Sequence, residues 1–138
     1  MAIINSTDSD YASRLQGIRL FVNNAYSQED LPDATIENDI YLGAANREVA
    51  RLVPSFASLA EENQADIKVA VQELTAAEIL QSELDATQEE SADVSVRRQG
   101  LKVENRMNSL RISATTKINR IAPAAETDES IGVVYETL

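Results

Sequence analysis

Four glycines and three prolines are all the strong backbone punctuation in 138 residues, and this scarcity constrains the fold more than any other property of the chain. An all-β sandwich or barrel turns about every 8 to 12 residues and draws on Gly and Pro to do so. Long helices with few breaks are what this chain can make instead. The apolar complement agrees: hydrophobic residues make up 43%, aromatics only 4%, and Trp is absent. That leaves Ala, Ile, Leu and Val, the residues that fill helix–helix contacts, and the length suits a single core.

Periodicity locates the helices. Over residues 9–23, Tyr11, Leu15, Ile18 and Val22 recur four, three and four apart on one helical face, with Ser9 as N-cap and Asn23-Asn24 closing the end. Leu31-Pro32-Asp33 announces a second helix, because Pro presets φ for a first turn and Asp33 or Thr35 can cap the free N–H groups. Ile36, Ile40 and Ala44, with Tyr41, Ala45, Val49 and Leu52, form a broad apolar stripe that Pro54 stops. Ser58-Leu59-Ala60-Glu61 fits a Ser-x-x-Glu capping box. The helix after it carries Ile67, Ala70, Val71, Leu74, Ala77, Leu80 and Leu84 inward, and Ala70, Ala76 and Ala77 leave room for a close neighbour.

Residues 93–103 are open to two readings. Val94, Val96, Leu101 and Val103 alternate around Gln99-Gly100 as in a short hairpin, and a helix accommodates the same residues. A last helix over 104–121 follows from Val103, Met107, Leu110, Ala114, Ile118 and Ile121, and Pro123 ends it. The expected fold is all-α: a small helical bundle over 1–122 with a short hairpin or loop before the last helix, then an acidic linker and an extended C-terminal arm over 123–138. In that arm Ile131, Val133, Val134, Tyr135 and Leu138 would each forfeit about 1.5–3 kcal/mol of burial if left in water. They are therefore expected to dock on a partner or a neighbouring subunit.

The net charge of −11 conceals a division along the chain. Residues 1–93 hold 18 acidic and 5 basic side chains, a balance of −13. Residues 94–121 hold Arg97, Arg98, Lys102, Arg106, Arg111, Lys117 and Arg120 against Glu104 alone. A basic segment inside an acidic chain points to pairing within or between subunits. Arg97, Arg98, Lys102, Arg106 and Arg111 are the cations expected to meet the acidic face of an adjacent subunit. The alternative is a small helical nucleic-acid-binding module that uses 94–121, although no aromatic is interleaved there for base stacking.

Catalytic templates find little material. With no His and no Cys, the commonest general base, the nucleophile–His arrangements and the usual zinc ligands are missing. No Gly-rich phosphate loop occurs. Asp8-Ser9-Asp10 opens like a calcium loop, but Ser13 stands where the loop needs Gly and Arg19 where it needs Glu. Glu61, Glu62, Asp66, Glu73, Glu78 and Glu83 read as a solvated or intersubunit helix face. The chain is expected to be a structural protein, not an enzyme, with no cofactor or metal. Its first residues lack a signal-peptide pattern and no stretch approaches the ~20 apolar residues of a membrane span, so a soluble, non-membrane protein is expected.

Three runs carry a family resemblance: Asp30-Leu31-Pro32-Asp33-Ala34-Thr35-Ile36 continuing through Tyr41-Leu42-Gly43-Ala44-Ala45-Asn46-Arg47-Glu48-Val49; Ile67-Lys68-Val69-Ala70-Val71-Gln72-Glu73-Leu74-Thr75-Ala76-Ala77; and Val96-Arg97-Arg98-Gln99-Gly100-Leu101-Lys102-Val103 before a final helix. Over roughly 30–121 the chain resembles the head-to-tail connector (adaptor) proteins of tailed bacteriophages. The N-terminal helix over 9–23 is less clearly part of the shared pattern. The resemblance implies a helical bundle that forms a homo-oligomeric ring, usually of twelve subunits, between the portal protein and the stopper or tail protein. It also implies terminal arms that reach partners, DNA passing through the channel without specific binding, synthesis in the host cytoplasm and residence in the neck of the virion.

Overall fold

The computed structural model describes residues 2–23, 26–90 and 94–122, with the backbone alone for 87–90 and 94–101. The described residues form a helical bundle without strands. Helix α1 spans Tyr11–Val22 and α2 is the short Asp33–Ile36. A π-helical turn at Asp39–Gly43 leads into α3, Ala44–Leu52. After a 3₁₀ turn at Phe56–Ser58 come the two long helices, α4 at Glu61–Glu90 and α5 at Val94–Ile121. At 1.5 Å per residue these two are each more than about 40 Å long.

Helix α4 is the axis of the molecule. Ile67, Ala70, Val71, Ala76, Ala77, Ile79, Leu80 and Leu84 are all buried on it, spread around most of its circumference because it packs against α5 on one side and α1 and α3 on the other. The alanines do what their size suggests: Ala70, Ala76 and Ala77 are completely covered. From α5, Met107, Leu110, Ala114 and Ile118 face them, with spacings of three, four and four that keep one stripe on α4. From α1, Leu15, Ile18 and Val22 enter the same core.

Close approach of α1 and α4 depends on Gly17. A Cβ there would collide with Gln72 Nε2, and that amide is held in place: Nε2 donates to the Arg14 carbonyl at 2.8 Å while Arg14 Nη1 donates to Gln72 Oε1 at 3.0 Å. The N-terminal strip is anchored as well. Ile3 and Ile4 are buried, and the Asn46 amide of α3 accepts from Ile4 N–H at 2.9 Å and donates to its carbonyl at 3.1 Å. One side chain thereby satisfies both backbone groups of a buried residue, as burial requires.

Several boundaries differ from the expected ones. The short hairpin or loop expected before the last helix does not form: the chain is helical from Val94 onward, the other reading of that segment, so α5 begins ten residues before 104. The stripe from Ile36 to Leu52 does not lie on one continuous helix. Asn38 takes ψ 142°, and its side chain accepts from Ile40 N–H at 3.1 Å, which ends α2 and restarts the chain as the π turn. The extra residue of that turn rotates the following side chains, so Leu42 is buried while Ile40 is 61% exposed and Leu52 40% exposed. Ser58 is not the cap of α4, because it closes the 3₁₀ turn and α4 starts at Glu61. Ser9 likewise yields the N-cap position of α1 to Asp10, which makes no side-chain cap bond. The linker and arm over 123–138 lie outside the described residues.

Candidate interaction surface

The charge division of the sequence becomes a seam between the two long helices. They run antiparallel, and three cations of α5 meet three carboxylates of α4 in descending order: Arg111 with Glu78 at 3.1 Å, Lys117 with Glu73 at 3.1 Å, and Arg120 with Asp66 at 2.6 Å. The outer two pairs stand partly open to solvent and are worth little individually. The middle one differs. The Glu73 side chain is only 6% exposed, both its oxygens accept from Lys117 Nζ, and Nζ also donates to Ser113 Oγ at 2.6 Å.

A separate ion pair, which nothing in the local sequence signals, ties α1 to α2. Arg19 is 3% exposed; its Nε donates to the Leu31 carbonyl at 2.6 Å, one terminal nitrogen meets the Asp33 carboxylate and the other reaches Gln16 Oε1 at 3.3 Å. Asp33 is thus committed to Arg19. Tyr11 makes a parallel tie, its hydroxyl donating to Glu37 at 2.6 Å.

Of the cations expected at a subunit interface, Lys102 and Arg106 are exposed on α5 and Arg111 is half-buried in its pair with Glu78. Arg106 reaches across to α1, where Nη1 donates to the Val22 carbonyl at 2.8 Å. Helices α1 and α5 flank α4 and leave a furrow between them, which Arg106 bridges and divides. On one side lies a trough of about 400 Å³ with Leu20, Phe21, Leu110 and Ser113 on its walls. On the other is a cleft of about 280 Å³ with Val22, Tyr26, Glu83, Lys102 and Val103. The Tyr26 hydroxyl donates to Glu83 at 3.5 Å. Desolvation by the cleft walls raises the pKa of both groups; the Glu83 charge lifts the phenol further, while the phenol's hydrogen bond draws the carboxyl partway back.

The outermost face of α5 carries a feature that the cation count obscured. Asn105, Asn108, Ile112, Thr115 and Asn119 are all exposed, at spacings of three, four, three and four that place them on one stripe. None is charged, on a helix with many cations, and Ile112 in the middle is 67% exposed. The cations sit on the shoulders of this stripe, where they can turn back to α4. A heptad reading of exposed positions would have found it; a search for buried positions did not.

The side chains of Arg97 and Arg98, and the arm residues Ile131, Val133, Val134, Tyr135 and Leu138, lie outside what the structure describes. Among the described residues no group of three acidic side chains converges as a metal site would need, and no helix is long and apolar enough to cross a membrane. Comparison with family models, curated proteins and solved structures gave no match.

Proposed function

We propose that this chain is a structural assembly protein, a head-to-tail connector of a tailed phage whose copies form a ring between portal and stopper or tail. The observation that carries the reading is the uncharged stripe on α5. A solvated helix face in a chain of net charge −11 has no reason to exclude charge over about four turns, whereas a helix face that packs on another subunit has one, because charges left unpaired in an interface are costly. Exposed Ile112 at its centre supplies the apolar anchor and Lys102 and Arg111 the charged rim, the usual anatomy of a contact patch. The order of elements over 30–121, a short helix, a turn, a third helix and two long helices, occupies the span that resembles the connector family. A ring requires one face of each copy to meet a different face of the next, and the exposed carboxylates Glu29, Asp30, Glu37 and Asp39 on either side of α2 offer a complement to the cationic shoulders of α5. Virion localisation, twelve-fold symmetry and arm contacts with the portal belong to the same proposal.

The nucleic-acid reading is weaker on the same geometry. Arg111, Lys117 and Arg120 are engaged by α4 carboxylates, so phosphates would have to displace partners already held.

Co-expression with the portal protein encoded in the same genome, followed by electron microscopy of the purified particle, tests the proposal. A ring of this chain coaxial with the portal is expected, and Ile112→Lys should abolish the ring while leaving the helical content of the chain unchanged. A chain that never enters a portal complex and stays monomeric at all concentrations would overturn it.

A further inference from the structure

We infer that successive copies meet through the π turn of one chain, with Ile40 as its knob, seated on the uncharged stripe around Ile112 of the next. The inference rests on the head-to-tail assembly proposed above and names the surface that the stripe receives. Ile40 and Ile112 are 61% and 67% exposed, the two most exposed large aliphatic side chains among the described residues. They cannot cover each other within one chain, because the π turn lies against α4 beside α3 while α5 covers a different side of α4, and Ile112 points outward from it. One such residue on each of two separate sides is what a head-to-tail contact needs. A two-fold contact would need only one.

The turn is held so as to present Ile40. Ile36 and Leu42 on either side are buried, which pins the chain to the core before and after the exposed residue. Asn38 Oδ1 accepts from Ile40 N–H at 3.1 Å, and Arg47 Nη2 donates to the Asp39 carbonyl at 3.2 Å. Gly43 leaves the space beside the Asp39 side chain, since a Cβ there would stand 2.9 Å from Asp39 Oδ1. Short π-helical turns are rare and recur at functional sites, and a knob already fixed loses little freedom on binding. On α5, Ser109 and Thr116 are exposed, three residues before and four after Ile112, so small side chains on the same face leave room for Ile40 beside Ile112. Charge sets the orientation. Glu37 and Asp39 are exposed next to Ile40, and the hydrogen bond that Glu37 accepts comes from a neutral hydroxyl. Lys102 and Arg106 stand on one shoulder of the stripe, about 15 and 9 Å from Ile112 toward the start of α5, and the bond of Arg106 goes to a neutral carbonyl. Glu104 stands on the other shoulder and disfavours the reversed approach. The Glu37 side of the turn therefore faces the N-terminal half of α5.

The chain contains no cysteine, so a pair of introduced thiols reads the contact directly in the full-length protein. Ile40→Cys with Ile112→Cys keeps a small apolar side chain at each position, and both positions are exposed, so the helical content should match that of the parent. The double variant is treated with a short bismaleimide crosslinker, as concentrated free chain and as the particle co-expressed with the portal. It should give a ladder of covalent dimers, trimers and longer products, in yield at least about tenfold above the dimers from either single variant, because only the pair brings two thiols together in the contact. A ladder without any portal complex would support the contact while removing the connector reading. A ring coaxial with the portal but no ladder would overturn the contact and leave that reading standing, and neither ring nor ladder would overturn both. Efficient dimers from Ile112→Cys alone would show a two-fold contact, and a link from Ile40→Cys to the portal would show a different occupant; either result overturns the inference.

Discussion

At the scale of single residues, the least replaceable side chain of the N-terminal half is Arg19. Its two main partners predict unequal consequences. Arg19→Met leaves the Leu31 carbonyl without its donor, while Asp33, 43% exposed, returns to water; the cost is that of one buried unsatisfied acceptor, about 1–3 kcal/mol. Asp33→Ala instead strands a guanidinium that is 4% exposed, and should cost about 3–5 kcal/mol. Urea unfolding of the two variants decides the order, and an Arg19 variant less stable than the Asp33 variant would contradict the account. Tyr11 makes the neighbouring tie sensitive to alkali. Burial, then the hydrogen bond to Glu37, then the charges of Glu37 and Asp33 push its phenol above the ordinary value of 10.0. A pKa raised on folding means that the protonated form favours the fold: the contribution is complete below about pH 10 and is lost as pH rises through the folded-state value. Melting temperatures of the parent and Tyr11→Phe, followed from about pH 8 upward, should therefore converge above about pH 10. Parallel curves would show that Tyr11 has no part in the alkaline loss.

At the scale of elements, Gly100 discriminates between the two conformations that residues 93–103 can support. In a hairpin turn, glycine would serve a backbone geometry that alanine resists; inside α5 it is a weak point, and Gly100→Ala should stabilise the protein by about 0.5–1 kcal/mol. Thermal unfolding monitored by circular dichroism measures this, and destabilisation would count against continuous helix. The break at Asn38 teaches the opposite lesson. Here a polar side chain that bonds its own backbone outcompetes a helix pattern long enough to look continuous, and the register after the break depends on the π turn.

For the whole molecule, the seam between α4 and α5 decides how the acidic and basic parts of the chain stay together. Its three ion pairs are not equivalent, since burial sets their worth. Lys117→Met leaves Glu73 buried without its cation and should destabilise by about 3–5 kcal/mol. Arg120→Met, in a pair exposed at 56% and 43%, should change stability by only about 0–1 kcal/mol. Unfolding of the two variants at low and high salt provides the measurement, and comparable losses would mean that the seam acts as a uniform charge belt. For assembly, the consequence is that reversing Arg111 would also disturb Glu78 of its own chain. The cleaner probes of subunit contact are Ile112 and Lys102.

Helical class, the inward residues of α4 and the buried faces of α1 and α5 followed from the sequence alone, because helix periodicity is a local code and Leu15, Ile18, Leu80, Leu110 and Ile118 repeat it without interruption. The candidate surface was legible in part. Composition marked α5 as the basic element, but periodicity does not say which way a long cation leans, and only the fold turned Arg111, Lys117 and Arg120 toward α4 and left the neutral stripe around Ile112 outermost. The burial of Arg19 was likewise invisible, since its partners stand 12 and 14 residues away. So was the anchoring of Ile4 by Asn46, which spans 42 positions. The two long helices were written in short-range spacing; the contacts that orient their charges and fix the segments around them join residues far apart in the chain, and only tertiary packing brings those together.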